Sequence, residues 1–438
     1  MWLIKNSPAL FVDLYELTMA QVYFKKKMHD TAYFEVTIRR LPEHWGFFVM
    51  AGLAEVHSYL NEFQFTKEDT DYLRSTGIFS DGFLSYLSAL KPEVKIRSLP
   101  EGIVFFPNEP IFEVAGPLIC AQILESYILN ILGFSIIAAT LAARTCIAAQ
   151  GAAVVDFGLR RCQGPVASVR SARAAQIAGF AATSNVFAAR KLNFVPTGTM
   201  AHSFVQVHDS EEQSFQNFTE SYGEKTILLV DTYDSIEGIK KAAKVAKQFY
   251  EQEGIKIRGI RLDSGDLVSL SNFARKYFQE KDVSFLKIFA SGDLDEFKIY
   301  DLLKAGAAID GFGIGTRFAV SRFAPAVEIV YKIVQYGDKA VFKTSPDKQS
   351  RPGRKSVTRL VTSTSSVQAL SKAEGVRDKY YQKDVISPLK SQSEDLLKPF
   401  ESAEKIQIIQ QRLLAELSSL DDSIKAIRNP AKYLVEFT

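Results

Sequence analysis

The first periodic stretch runs from Asp13 to Lys27, where Leu14, Leu17, Met19 and Val22 give one apolar face and a lysine run closes the segment. That pattern predicts a helix. Thr31 to Arg40 then alternates like a strand, and helical segments follow to about Leu90. Short apolar runs at Val94–Ile96, Ile103–Phe106 and Ile111–Val114, separated by Pro and Gly, predict a small β unit. Pro117 opens an apolar stretch in which Ser126 to Ala143 holds 18 residues without a charge. Asn130, Gly133, Ser135 and Thr140 interrupt it, and Glu125 and Arg144 bracket it. It therefore reads as two buried helices meeting near Gly133-Phe134 rather than as a membrane span.

From Ala153 the texture changes. Short apolar strands are expected at Ala153–Asp156, Ile227–Asp231, Ile257–Arg261 and Leu286–Ala290. Between them lie stretches of helical period, at Ile236–Gln252, Leu267–Phe278 and Leu294–Ala305. Alternation at this spacing means βαβ units and a parallel sheet. Asp156-Phe157-Gly158, Asp231-Thr232-Tyr233-Asp234, Arg261 to Asp266, Ser291-Gly292-Asp293 and Gly313 to Arg317 follow the apolar runs. One Asp after a strand is usually a helix cap; five strand ends so furnished read as the catalytic rim of an α/β barrel. Beyond Tyr331 charge density rises, and Gln349 to Lys355 reads as a mobile, anion-contacting loop or a solvated charge run. Ala403 to Leu420 forms a last amphipathic helix.

The chain has 438 residues, more than one core normally serves. The pattern divides it into an N-terminal β-rich α+β domain (1–135), an α/β barrel (136–335) and a basic loop with a C-terminal helical segment (336–438). Net charge is +3, from 53 basic and 50 acidic residues. Bulk electrostatics therefore argue for neither nucleic acid nor an anionic membrane. Three scattered cysteines fit neither a disulfide framework nor a zinc site, and no metal ligand set is assigned. No signal peptide is read at the N-terminus, and a reducing, cytoplasmic location is expected.

At Gly198-Thr-Met-Ala-His202 the chain turns after Pro196, placing a histidine where backbone N–H groups converge and anions collect. Such a histidine can act as a base or take up a phosphoryl group; alternatively it is a satisfied, partly buried turn residue. The rim sets Asp231, Asp234, Asp263, Asp266 and Asp293 against Arg160, Arg161, Arg261 and Arg317. That mixture suits a substrate with phosphates, a ribose and Mg²⁺, because arginine forks grip phosphate and carboxylates hold hydroxyls or metal waters. No Gly-x-x-x-x-Gly-Lys-Ser/Thr motif is present, which excludes a Walker-type site.

Eight ordered segments resemble those of the nicotinate phosphoribosyltransferase family. They are Asp13–Gln21 (DLYELTMAQ), Phe157–Arg161 (FGLRR), Thr183–Val186 (TSNV), Gly198–Ser203 (GTMAHS), Leu229–Asp234 (LVDTYD), Arg261–Asp266 (RLDSGD), Ala290–Asp293 (ASGD) and Phe312–Arg317 (FGIGTR). The resemblance implies an irregular β/α barrel of the type II phosphoribosyltransferase kind and a head-to-tail homodimer with shared active sites. It also implies the reaction: nicotinate and phosphoribosyl pyrophosphate give nicotinate mononucleotide and diphosphate, coupled to ATP hydrolysis, in NAD salvage. His202 stands where the family carries its phosphohistidine, and Asp231 where a carboxylate orients it. Phe157 of one subunit and Tyr15 of the other would sandwich the pyridine ring, with Arg160 and Ser184 beside it. Arg261, Asp263, Ser291 and Gly292 would hold ribose and phosphates, and Gly313, Gly315, Thr316 and Arg317 the 5′-phosphate. Lys348 to Lys355 resembles the family's flexible basic loop.

The sequence departs from the family at Val12, in the glycine-poor stretches Pro165–Ser168 and Ala181–Ala182, and at Arg190. The competing readings are a nicotinamide phosphoribosyltransferase, a Schiff-base lyase and a catalytically silent barrel acting as a binding protein. No strand end carries the lysine a lyase needs. Thr183-Ser184-Asn185 lacks the aspartate with which nicotinamide-using relatives would accept the amide.

Overall fold

The computed structural model describes residues 8–345, 351–359, 378–382, 396–400, 403–433 and 435–437. The described strands in chain order are β1 (Thr31–Ile38), β2 (Phe48–Val49), β3 (Lys95–Ser98), β4 (Val104–Phe105), β5 (Phe112–Pro117), β6 (Ala153–Asp156), β7 (Ala182–Thr183), β8 (Ile227–Leu229) and β9 (Gly259–Leu262). They continue with β10 (Lys287–Ala290), β11 (Gly311–Ile314), β12 (Ile329–Tyr336), β13 (Lys339–Ala340), β14 (Lys355–Arg359), β15 (Asp378–Gln382), β16 (Lys398–Pro399) and β17 (Val435–Phe437). Two compact units emerge. The first holds residues 1–137, 326–426 and 430–438; the second holds 138–325 and 427–429.

The first unit is built on a six-stranded sheet in the order β13-β12-β1-β5-β3-β16, its pairs antiparallel. Its central strand shows why alternation reads as a strand. Ala32, Phe34, Val36 and Ile38 are buried, while Tyr33, Glu35 and Thr37 on the other face are only half-buried. The strand β12, beside β1, was not foreseen. The helix Leu14–Lys25 forms close to the expected span, and Glu16, Leu17 and Ala20 are its buried residues.

The apolar stretch differs from expectation. It is one helix, Glu125–Ala148, following a short one at Leu118–Ile123; the break falls at Leu124 instead of Gly133. Glycine inside a helix costs roughly 1 kcal/mol. A Cβ built at Gly133 would lie 3.4 Å from a methyl group of Ile329 on β12, an ordinary contact. Burial of most of the helix offsets the glycine. It is the one helix among the described residues long and apolar enough to cross a membrane, and 83% of its most apolar window is buried within the protein.

The second unit carries six parallel strands in the order β7-β6-β11-β10-β9-β8. The helices Ser235–Glu253, Leu267–Glu280 and Glu296–Lys304 alternate with them as expected, each started by an aspartate whose side chain accepts from a first-turn N–H. Ile239, Val245 and Phe249 pack with Leu228, Ile260 and Ile288 in the core between helix and sheet. The sheet is an open barrel with β7 and β8 at its edges. Beyond β7 the segment 196–202 continues the wall: Thr183 bridges Pro196, and Nη2 of Arg261 on β9 donates to the Met200 carbonyl. Every expected polar cluster lies at a strand's C-terminal end or just past it.

Candidate functional site

His202 opens a short helix, His202–Gln206, directly after that segment. Its Nδ1 lies 3.1 Å from the Thr232 hydroxyl, and its Nε2 lies 3.9 Å from Oδ2 of Asp263. The residue on Nδ1 is thus Thr232, not Asp231 as expected. Asp231 turns instead toward the next strand end, where its Oδ2 accepts from the Asp263 N–H (3.1 Å) and the Ser264 hydroxyl (2.6 Å). Its Oδ1 is buried with no hydrogen-bond partner. Thr232 stands inside the Leu229–Asp234 motif, and its one signal in the sequence is a hydroxyl next to a rim carboxylate.

Asp263 accepts from the Ser291 hydroxyl. Its carbonyl also explains Gly292: the residue sits at φ +92°, and a Cβ there would stand 1.8 Å from that oxygen. Only glycine fits. Arg261 is largely enclosed. Burial pulls its basicity down, Asp263 and Asp231 push it back up, and Arg160 opposes it as a like charge. Its Nε has no partner, and its guanidinium lies 6.0 Å from the centre of the Phe157 ring. A half-enclosed arginine with an unsatisfied donor beside an unsatisfied carboxylate oxygen is a cradle that lacks its ligand's atoms.

Phe157 leaves β6 with its N–H bonded to Ile314 O, and its ring lies over Gly313, where a Cβ would come within 2.4 Å of Cε2. Gly313 therefore makes room for the ring. Arg160 and Arg161 stand exposed on the turn Leu159–Arg161. Ser184 follows β7, its N–H donating to Asp156 O.

Two expected phosphate contacts are otherwise engaged. Arg317 forks onto Asp293 through Nε (2.7 Å) and Nη2 (2.5 Å), and its Nη1 reaches the buried Asp295 at 2.7 Å. These hydrogen bonds hold Asp293 well below the usual carboxylate range and raise Arg317 further. A phosphate would have to displace Asp293 to use that guanidinium; Gly315 and Thr316, before it, have no such partner in the way. In the basic loop, Arg354 pairs with Glu113 and Lys355 with Glu35, each at 2.7 Å, so both cations serve the first unit's sheet. Lys348 to Ser350 lie outside the described residues.

Tyr15 belongs to the first unit, half exposed on its helix. Burial and the carboxylates of Glu125 and Glu16 raise its phenol above the ordinary range.

Asp231 and Asp263 offer hard oxygen ligands, one of them unpartnered, and the described residues contain no group of three or more His, Cys, Asp or Glu placed to hold a metal unaided. Such a donor set fits Mg²⁺, which takes one or two carboxylates and completes its shell with water and substrate phosphates.

A family model for the nicotinate phosphoribosyltransferase N-terminal domain matches residues 10–133, and that of the nicotinate phosphoribosyltransferase family matches 152–374. The chain is 44% identical over 351 residues to nicotinate phosphoribosyltransferase pncB2 of Mycobacterium tuberculosis, covering 80% of this chain and 75% of that one. It is 39% identical over 364 residues to the nicotinate phosphoribosyltransferase of Bacillus subtilis, covering 81% and 74%. Among solved structures it resembles human nicotinic acid phosphoribosyltransferase with a TM-score of 0.83 and 25% identity, over 97% of both chains.

Proposed function

Because the chain belongs to the nicotinate phosphoribosyltransferase family, we propose that it joins nicotinate to phosphoribosyl pyrophosphate, forming nicotinate mononucleotide and diphosphate in NAD salvage. The observation that carries this is the cradle at the strand ends: Arg261 and Asp231 with unsatisfied buried atoms, beside the Phe157 ring. The pyridine nitrogen's lone pair forms the new C–N bond as the anomeric C–O bond breaks and diphosphate leaves with the electron pair. Phe157 holds the ring in line. Arg261 faces the negative charge that develops on the leaving group, its guanidinium partly withdrawn from water. Asp231 and Asp263 would hold Mg²⁺, which adds charge stabilisation to the diphosphate when bound.

ATP coupling runs through His202. The γ-phosphoryl group of ATP passes to the nitrogen that Thr232 leaves uncovered as the P–O bond breaks and ADP leaves with the electron pair, and water then releases it as phosphate. The enzyme works as a cytoplasmic homodimer in which Tyr15 of one subunit closes the other's pyridine site. Phe11, Leu14, Tyr15 and Val22 on the N-terminal segment, and Val186, Phe187 and Val195 in the second unit, are large apolar side chains left exposed; they support a partner that covers them.

The test is nicotinate with phosphoribosyl pyrophosphate, with and without ATP, followed as mononucleotide. Nicotinate turnover well above nicotinamide turnover is expected, with ATP driving the yield. His202→Ala should abolish ATP hydrolysis and leave slow, uncoupled transfer. Equal use of nicotinamide would sink the substrate assignment, and wild-type ATP hydrolysis in His202→Ala would sink the coupling.

A further inference from the structure

The two strand ends expected to contact nicotinate, after β6 and after β7, are tied through one side chain that is buried from solvent. Asp156, the last residue of β6, is 1% exposed. Its Oδ1 accepts from the Gly158 N–H at 2.7 Å and its Oδ2 from the Thr183 hydroxyl at 2.6 Å. The Thr183 oxygen in turn accepts the Asn185 N–H at 3.1 Å, and the Ser184 N–H donates to the Asp156 carbonyl at 2.7 Å. Asn185 is anchored behind this by Nδ2, which donates to the Ser168 hydroxyl at 3.1 Å. Phe157 and Ser184 thus project from the two sides of one closed hydrogen-bond chain.

We propose that Asp156 is the positioning residue of the pyridine subsite, fixing the Phe157 ring and the Ser184 side chain relative to each other through Thr183 and Gly158. The inference rests on the nicotinate reading above. The chain of donors has only one consistent direction: N–H to carboxylate on one side, O–H to carboxylate on the other. An asparagine at 156 breaks it in either orientation. With its oxygen toward Gly158, its NH₂ meets the Thr183 oxygen and strands the threonine proton in a buried site. Reversed, its NH₂ faces the Gly158 N–H. A group displaced at such a contact loses orientation before it loses the fold. Ser168 and Asn185 extend the same brace into the helix Pro165–Ile177, which contains one of the stretches where the sequence departs from the family.

Asp156→Asn, Thr183→Val and Thr183→Ser test it, with separate KM values measured for nicotinate and for phosphoribosyl pyrophosphate. Thr183→Val keeps volume and removes only the hydroxyl, so it carries the test should Asp156→Asn not fold. The expected result is a rise in nicotinate KM on the order of tenfold or more, the loss of about one buried hydrogen bond's worth of orientation. The phosphoribosyl pyrophosphate KM should stay put, and Thr183→Ser should return the nicotinate KM to the wild-type value. An unchanged nicotinate KM in Thr183→Val overturns the proposal. So does a parallel rise in both substrates' KM values, which marks a merely structural residue. A wild-type enzyme that ignores nicotinate overturns the underlying reading instead.

Discussion

Gly313→Ala isolates the link between a buried backbone position and the pyridine site. The glycine lies on β11 beneath the Phe157 ring, and an added Cβ would stand 2.4 Å from Cε2 and 2.5 Å from Cδ2. Ordinary contact begins at 3.4 Å, so the ring must retreat by about 1 Å (3.4 − 2.4). It has room to do so, because Phe157 is only partly buried. Stability should therefore fall by no more than the roughly 1–3 kcal/mol typical of overpacking. Activity should suffer more, since a misplacement of about 1 Å in a positioning group can cost on the order of a hundredfold. Steady-state kinetics with nicotinate varied, beside thermal melts, separate the two effects. The decisive measurement is a double-mutant cycle with Phe157→Ala. If the alanine acts by moving the ring, Gly313→Ala should cost little once the ring is gone. Additive losses in the double variant would refute the reasoning, as would wild-type nicotinate kinetics in Gly313→Ala.

Ser184→Asp should raise nicotinate KM by roughly 10–100-fold, because a carboxylate replaces a donor worth about 1.5–3 kcal/mol toward the substrate's own carboxylate; unchanged nicotinate use would remove Ser184 from the pocket. Mixing Tyr15→Ala chains with His202→Ala chains should recover part of the ATP-coupled activity through one intact site per mixed dimer, and no recovery in verified mixed dimers would count against sharing. The third prediction concerns pH. Burial pushes the Glu16 carboxyl from 4.5 up to about 8, against the hydrogen bond from Ser126, with Glu125 and Asp13 adding to the rise. The folded chain keeps a proton that the unfolded chain releases, so stability is full below about pH 4.5 and declines as pH climbs through about 8. Glu16→Gln should flatten that slope, a difference on the order of a few kcal/mol at the alkaline end. Wild type and variant melting in parallel from pH 5 to pH 9 would contradict it.

Local pattern was enough for much of this protein. The alternation at β1, the helical periods of Ser235–Glu253 and Leu267–Glu280, and the polar residues ending each barrel strand depend on neighbours a few positions away. A one-dimensional chain records such neighbours directly. The parallel order of the strands followed from their spacing, and the residues bound for the rim were legible because strand ends in a βαβ chain share one edge.

Tertiary contacts decided the rest. Helix continuity through Gly133 was decided by packing against neighbours distant in sequence, Ile329 of β12 among them, nearly two hundred residues away. The partner of His202 is 30 positions distant, and whether Thr232 or Asp231 faces Nδ1 turns on how one strand end is rotated. Arg317 reads in sequence as a phosphate fork, yet Asp293 and Asp295 reach it first. An arginine's charge belongs to whichever carboxylate the fold brings within about 3 Å, and composition cannot say which one arrives.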